Sequence, residues 1–345
     1  VLVIDSHAEA TAPGRAESKN LKAHCPQSAS VQPPMRQSLI ILATVLTVLA
    51  GVPGRAQLFS EIRLPSERQL RTENPPTEAE RKSLVERTLA NQIKNDEALQ
   101  IFERVERRII HDHDMNAAAG EDRTVRIIPT GTGSARILLA EHGHPSDAAM
   151  IHAQMVATEH LLEAAADSSN AQTKRDREKI ERRAKDRKDL VGSVQDAFVF
   201  TWMGREERSG REVIKFRLDP NPNYKPTSLK TEFLKHATAT GWVDEKSAQL
   251  VRLEATLTSD ISFVGGIAGK VYRDGRAVIE QSEVEPGVWL PTLYKYDYTV
   301  RKFMFTSEVH ERVEASHYQR IGNAAQALTA IRREISAANS PRAQQ

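Results

Sequence analysis

The residues best suited to chemistry in this chain are His111-Asp112-His113-Asp114, at the end of an apolar run. An H-x-H-x-D segment closing a strand is how several binuclear hydrolases present metal ligands, and alternate side chains of a strand point the same way. A catalytic metal also needs an open position and ligands from other loops, for which His142, His144, His152 and His160 are the nearby candidates. Met115 and Asn116 follow where a further histidine would stand. The metal-hydrolase reading, with His111, His113 and Asp114 as ligands, therefore ranks below a solvated strand end, and no metal or other cofactor is expected.

Other catalytic signatures are weaker. Gly131-Thr132-Gly133 lacks the lysine of a phosphate loop, and Gly265-Gly266-Ile267-Ala268-Gly269 sits between strands instead of opening a helix, so both read as turns or bulges. The chain has no G-x-S-x-G elbow, and its one cysteine is Cys25. The expectation is a non-enzymatic protein.

Aromatic and aliphatic residues at strand spacing carry the remaining signal. Phe198, Phe200 and Trp202 alternate, Ile214, Phe216 and Leu218 alternate in return across a turn at residues 204–210, and Val251, Leu253, Ala255 and Leu257 follow with Arg252, Glu254 and Thr256 between them. Tyr294, Tyr296 and Tyr298 form a further row. Such rows are ordinary core packing or, alternatively, the inward lining of a cavity for an apolar chain, with Phe198, Phe200, Trp202, Ile214, Phe216, Val251 and Leu253 as the lining. Burial of an acyl chain contributes about 0.8 kcal/mol per methylene, so such a cavity needs no catalytic group.

The elements that position these rows can be placed from pattern. Thr77-Glu78-Ala79-Glu80 reads as a capping box opening a helix over residues 77–95, with Leu84, Val85, Thr88, Leu89 and Ile93 on one face. Strands are expected over 101–110, 123–129 and 134–141, the last two joined at Gly131-Thr132-Gly133. Residues 146–190 are read as a charged helical insertion whose 174–189 segment has almost no apolar stripe and mixes acids with an excess of bases. From 195 to 321 strands recur with a Pro-rich break at 220–226 and turns at Asp274-Gly275 and Glu285-Pro286-Gly287, and a helix over 324–335 precedes a polar tail. About ten strands in series argue for one antiparallel sheet.

Residues 35–56 read as a cleavable export signal: Arg36 supplies the positive charge, 39–52 the apolar core, and Gly54-Arg55-Ala56 the small cleavage residues. The core is about 14 residues, short of the roughly 20 that span a bilayer, so no stable membrane span is expected after cleavage. Residues 1–34 are polar and aperiodic and end at Met35, so they are set aside as untranslated or disordered. Residues 57–76 form a leader, 77–321 one domain, and 322–345 the terminal helix and tail. Cys25 falls upstream of the signal, which leaves the exported part without a disulfide or a lipidation site. A formal net charge of +2 argues against nucleic acid as the main partner. A periplasmic or secreted location follows.

The segment Phe216-Arg217-Leu218-Asp219-Pro220-Asn221-Pro222-Asn223-Tyr224-Lys225-Pro226, then Gly241-Trp242-Val243-Asp244, Leu250-Val251-Arg252-Leu253-Glu254 and Gly287-Val288-Trp289-Leu290-Pro291, resembles exported bacterial proteins related to outer-membrane lipoprotein sorting, the LolA/LolB-like group. The resemblance implies an α+β fold: a strongly curved antiparallel sheet, an open half-barrel, with helices on its concave side. It implies binding or transport of a lipid or lipoprotein acyl chain. The alternative is an envelope protein–protein interaction module with a filled core.

Overall fold

The computed structural model describes residues 70–112, 120–167, 169–263, 269–302 and 304–339. The export segment, His113, Asp114 and residues 265–268 lie outside them. The first helix, α1 (Glu78–Ala98), starts as its capping box dictates: Thr77 Oγ1 accepts from the Glu80 N–H, and Glu80 Oε2 accepts from the Thr77 N–H at 2.8 Å. Its buried stripe begins with Leu84 and Val85 and then turns polar, through Thr88, Gln92 and Asn95. The helix thus rests on the sheet through apolar contacts at one end and hydrogen bonds at the other.

Thirteen strands form one antiparallel sheet among the described residues. They are β1 (Phe102–Asp112), β2 (Glu121–Pro129), β3 (Ser134–Glu141), β4 (His144–Pro145), β5 (Phe198–Arg208), β6 (Arg211–Pro220), β7 (Ala237–Asp244), β8 (Gln249–Leu257), β9 (Ile261–Phe263), β10 (Gly269–Val271), β11 (Arg276–Glu285), β12 (Val288–Lys302) and β13 (Phe305–Arg320). Their order is β4-β3-β2-β1-β13-β12-β11-β8-β7-β6-β5, with β9 and β10 branching from β12. The sheet is open: the path ends at β4 and β5 without closing into a barrel, as the α+β half-barrel reading expects. The hairpin expected at Gly131-Thr132-Gly133 joins β2 to β3, with the Thr130 N–H donating to the Gly133 carbonyl at 3.1 Å.

Cross-strand partners share a face of a sheet, so the register follows one face across the molecule. Phe216 lies opposite Gly241, Gly241 opposite Leu253, Leu253 opposite Ile279, Ile279 opposite Tyr294, Tyr294 opposite Val313 and Val313 opposite Arg108. This inner face is therefore apolar at the β5 end, tyrosine-rich in the middle and ionic towards β1.

Helices occupy both faces. On the inner face, Leu84 of α1 and Leu190 and Val194 of α3 (Ala171–Ala197) pack in one cluster with Ile214, Phe216, Leu218 and Val243. On the opposite face, Leu162 of α2 (Ala148–Ala166) and Ala327 and Ile331 of α5 (Ala324–Ala338) pack on Ile128, Ala135 and Ile137. Ile128 faces away because its neighbour Ile127 pairs with Arg104, which is on the inner face. Residues 146–190, read from sequence as one charged insertion, are two helices with different tasks. The charged one runs on to Ala197 and buries Leu190, Val191 and Val194, so its far end is part of the core. Ion pairs Arg187–Asp96 and Lys230–Asp186 tie it to α1 and to the short helix α4 (Leu229–Glu232).

Candidate functional site: the inner face under α1 and α3

The Phe198, Phe200 and Trp202 row and the Ile214 and Phe216 row meet as the alternation predicts. Trp202 lies opposite Phe216 and Phe200 opposite Leu218, and the Phe200 and Phe216 rings meet edge to face at 6.4 Å. Phe198, Ile214 and Phe216 are buried, while Phe200 and Trp202 pack against the same cluster from its partly exposed border. Leu253 lies further along this face, packed on Ile279, Tyr294, Tyr296 and Val313.

Val251 is not brought into the cluster. Trp242 pairs with Arg252 but Val243 pairs with Leu250, which makes Val251 the extra residue of a β-bulge. A bulge reverses which side chains point inward beyond it, so Leu250 packs on the cluster in place of Val251. Strict alternation in the sequence cannot reveal that reversal.

Sequence reasoning also missed a polar seam between α1 and the sheet. Asn95 Nδ2 donates to Gln249 Oε1 at 2.8 Å while Asn95 Oδ1 accepts from the Trp289 backbone N–H at 3.2 Å. Gln281 Nε2 donates to Gln92 Oε1 at 3.0 Å, and Asn91 Nδ2 donates to the Ser247 and Ala248 carbonyls. Asn and Gln at helical spacing inside an apolar stripe are the signal that could have found it. Four groups in this region are buried without a hydrogen-bond partner among the described residues: Gln92 Nε2, Gln281 Oε1, Trp202 Nε1 and the Tyr224 hydroxyl.

Beyond the tyrosines the face is ionic. Arg104 Nε donates to Glu106 Oε1 at 2.6 Å with both residues buried, and Arg108 donates to Glu311 at 2.6 Å and Glu121 at 3.2 Å. Burial pulls the Arg104 pKa down, but Glu106 and then Tyr318 beside it hold it above the ordinary arginine value. Burial pushes the Tyr294 and Tyr318 hydroxyls up, so both remain protonated; Tyr318 donates to the Pro291 carbonyl at 2.5 Å. The arrangement offers an apolar bed bordered by hydrogen-bonding and charged groups.

The histidine segment is divided. His111, next to last in β1, lies opposite His310, and His310 Nδ1 lies 3.1 Å from Asp297 Oδ1, on the outer face; His113 and Asp114 lie outside the described residues. Of the other candidates, His160 lies 3.2 Å from Glu163 on α2, and His144 sits in β4. Among the described residues no three His, Cys, Asp or Glu side chains converge as a metal site would require.

No protein-family model matches the chain, and no curated protein matches it by sequence. Similar solved structures include an outer-membrane lipoprotein-sorting protein domain from Vibrio parahaemolyticus, 8% identical over 68% of this chain and 92% of that one, with a TM-score of 0.29. A LolA-superfamily protein from Nitrosomonas europaea and a DUF1329-family protein from Desulfovibrio piger are each 9% identical over 69% of this chain and 92% of theirs, with TM-scores of 0.27. At these identities and TM-scores the likeness assigns no residue of this chain a role.

Proposed function

We propose that the inner face beneath α1 and α3 binds an acyl chain, of a lipid or a lipoprotein, without catalysis and in the cell envelope. The observation that carries this reading is a set of buried polar groups without a partner among the described residues: Trp202 Nε1 and the Tyr224 hydroxyl in the apolar cluster, and Gln92 Nε2 and Gln281 Oε1 in the polar seam under α1. Each such group costs about 1–3 kcal/mol when left unsatisfied, and an ester or carboxylate oxygen entering with an acyl chain would accept from the donors among them, Trp202 Nε1, the Tyr224 hydroxyl or Gln92 Nε2. Phe200, Trp202, Leu250 and Tyr298, partly exposed at the border of the cluster, supply the apolar surface on which the chain would first lie. Entry requires α1 to move, and its polar seam is a contact that water can replace when it opens.

A second reading has its own observation. Phe198, Ile214 and Phe216 are already packed by Leu84, Leu190 and Val194, as the solid core of an interaction module would be. Native mass spectrometry of the protein purified from a bacterial envelope, with uptake of a fluorescent fatty acid, separates the two. Acyl binding predicts a lipid-mass adduct and saturable uptake that Trp202→Phe and Tyr224→Phe weaken. Recovery without lipid and without uptake sinks it in favour of the interaction module.

A further inference from the structure

Trp242 points to the outer face, since its neighbour Gly241 is on the inner one, and its row across the strands there is Gly204, Lys215, Trp242, Arg252 and Glu280. Helices α2 and α5 pack on that face at the β2–β3 end, and side chains lie over the indole. Arg208 Cζ is 4.8 Å from the ring centroid, Lys215 Nζ 5.0 Å and Arg252 Cζ 5.9 Å. Trp242 is 4% exposed, and its Nε1 is buried without a hydrogen-bond partner among the described residues.

The acids around the ring are already taken. Glu206 holds Arg208 at 2.6 Å, and Glu254 at 2.6 Å and Glu280 hold Arg252. Lys215 has no ion pair or hydrogen bond among the described residues, and the residue across from it on β5 is Gly204, which offers no side chain. A cation–π contact at an exposed site contributes about 0.5–1 kcal/mol, whereas a buried N–H left unsatisfied costs about 1–3 kcal/mol. The ammonium and the indole N–H are thus two unsatisfied donors on directly paired residues of neighbouring strands. An oxyanion accepts from both, and its charge offsets the cation at this ring that lacks an acid. A neutral acceptor would satisfy the indole and leave Lys215 uncompensated. The flexible lysine stem can swing aside to admit the ligand without breaking an ion pair.

We infer that Lys215 and the Trp242 indole N–H form a binding site for a singly charged oxyanion, the carboxylate or phosphodiester group of a small ligand, on the outer face of β6 and β7. The inference does not rest on the acyl-binding reading, which concerns the opposite face of the sheet.

Indole N–H NMR of the full, nitrogen-labelled chain tests it. Trp202, Trp242 and Trp289 are the three tryptophans of the chain, and Trp242→Phe and Trp202→Phe assign their peaks. Sodium acetate or sodium dimethyl phosphate should shift the Trp242 peak saturably, and sodium chloride at the same ionic strength should not. Whichever anion acts at the lower concentration identifies the group as carboxylate or phosphodiester. Lys215→Met, which keeps an apolar stem over the ring, should weaken binding about tenfold with an unchanged melting temperature, and Lys215→Arg should retain it. A Trp242 peak that neither anion moves, that sodium chloride moves equally, or that saturates as readily in Lys215→Met overturns the proposal. A fatty acid should move the Trp202 peak instead, so failure there counts against acyl binding alone.

Discussion

Asn95 and Gln249 join α1 to β8 through one side-chain hydrogen bond of 2.8 Å, while the same asparagine caps the backbone N–H of Trp289 in β12. One residue near the end of a helix thus spans two strands that β11 separates. Removing it leaves two buried partners unsatisfied. Asn95→Ala should cost about 1–3 kcal/mol in urea unfolding, and its effect should be non-additive with Gln249→Ala in a double-mutant cycle. Strict additivity would show that the seam does not act as a unit.

The bulge at Val251 makes a prediction that sequence alternation would reverse. Leu250→Ala should cost about 2 kcal/mol, because Leu250 packs on the inner cluster, and Val251→Ala about 1 kcal/mol or less. Equilibrium unfolding of the two variants gives the order directly, and a greater cost at 251 would place the strand in the other register.

Gly204 has φ +143°, and a Cβ there would come 2.7 Å from Leu70 Cγ and 2.8 Å from the Arg71 carbonyl oxygen. The close approach is what lets Arg71 bridge to Arg205 through two backbone hydrogen bonds of 2.8 Å and cover part of edge strand β5. Gly204→Ala should destabilise by about 1–3 kcal/mol and raise proteolysis at residues 70–76, read by limited digestion.

Burial would raise the Asp297 pKa, but the His310 hydrogen bond and the Lys295 ammonium outweigh it and leave the carboxyl below its ordinary value. A depressed folded-state pKa contributes stability above the unfolded value of about 4, which is lost as pH falls through the folded value. Asp297→Asn should therefore be less stable than wild type at neutral pH, with the difference shrinking below about pH 4 in melting curves. A difference constant across that range would assign the loss to packing instead.

The capping box of α1, the β2–β3 turn, the paired aromatic rows of β5 and β6 and the bulk of the C-terminal meander were legible in the sequence, because each is set by interactions within a few residues or by side-chain period. The split of residues 146–190 into α2 and a longer α3 was less so. Its cap at Asn170 is local, but the choice of face is not: α2 needs Ile128 and Ile137 to cover, and α3 needs the β5–β6 rows.

Propensity, capping and alternation act along the chain, so the periodicity of the helices and strands and the apolar rows they carry can be read from the residues alone. Which rows meet, and what lies between them, depends on contacts across the sheet. The bulge that exchanges Val251 for Leu250, the Asn95–Gln249–Trp289 seam and the Arg104–Glu106 pair beneath Tyr294 and Tyr318 all join residues far apart in sequence or turn on cross-strand register. Register is settled by the summed burial of the sheet and its helices, a quantity that no local stretch of chain contains.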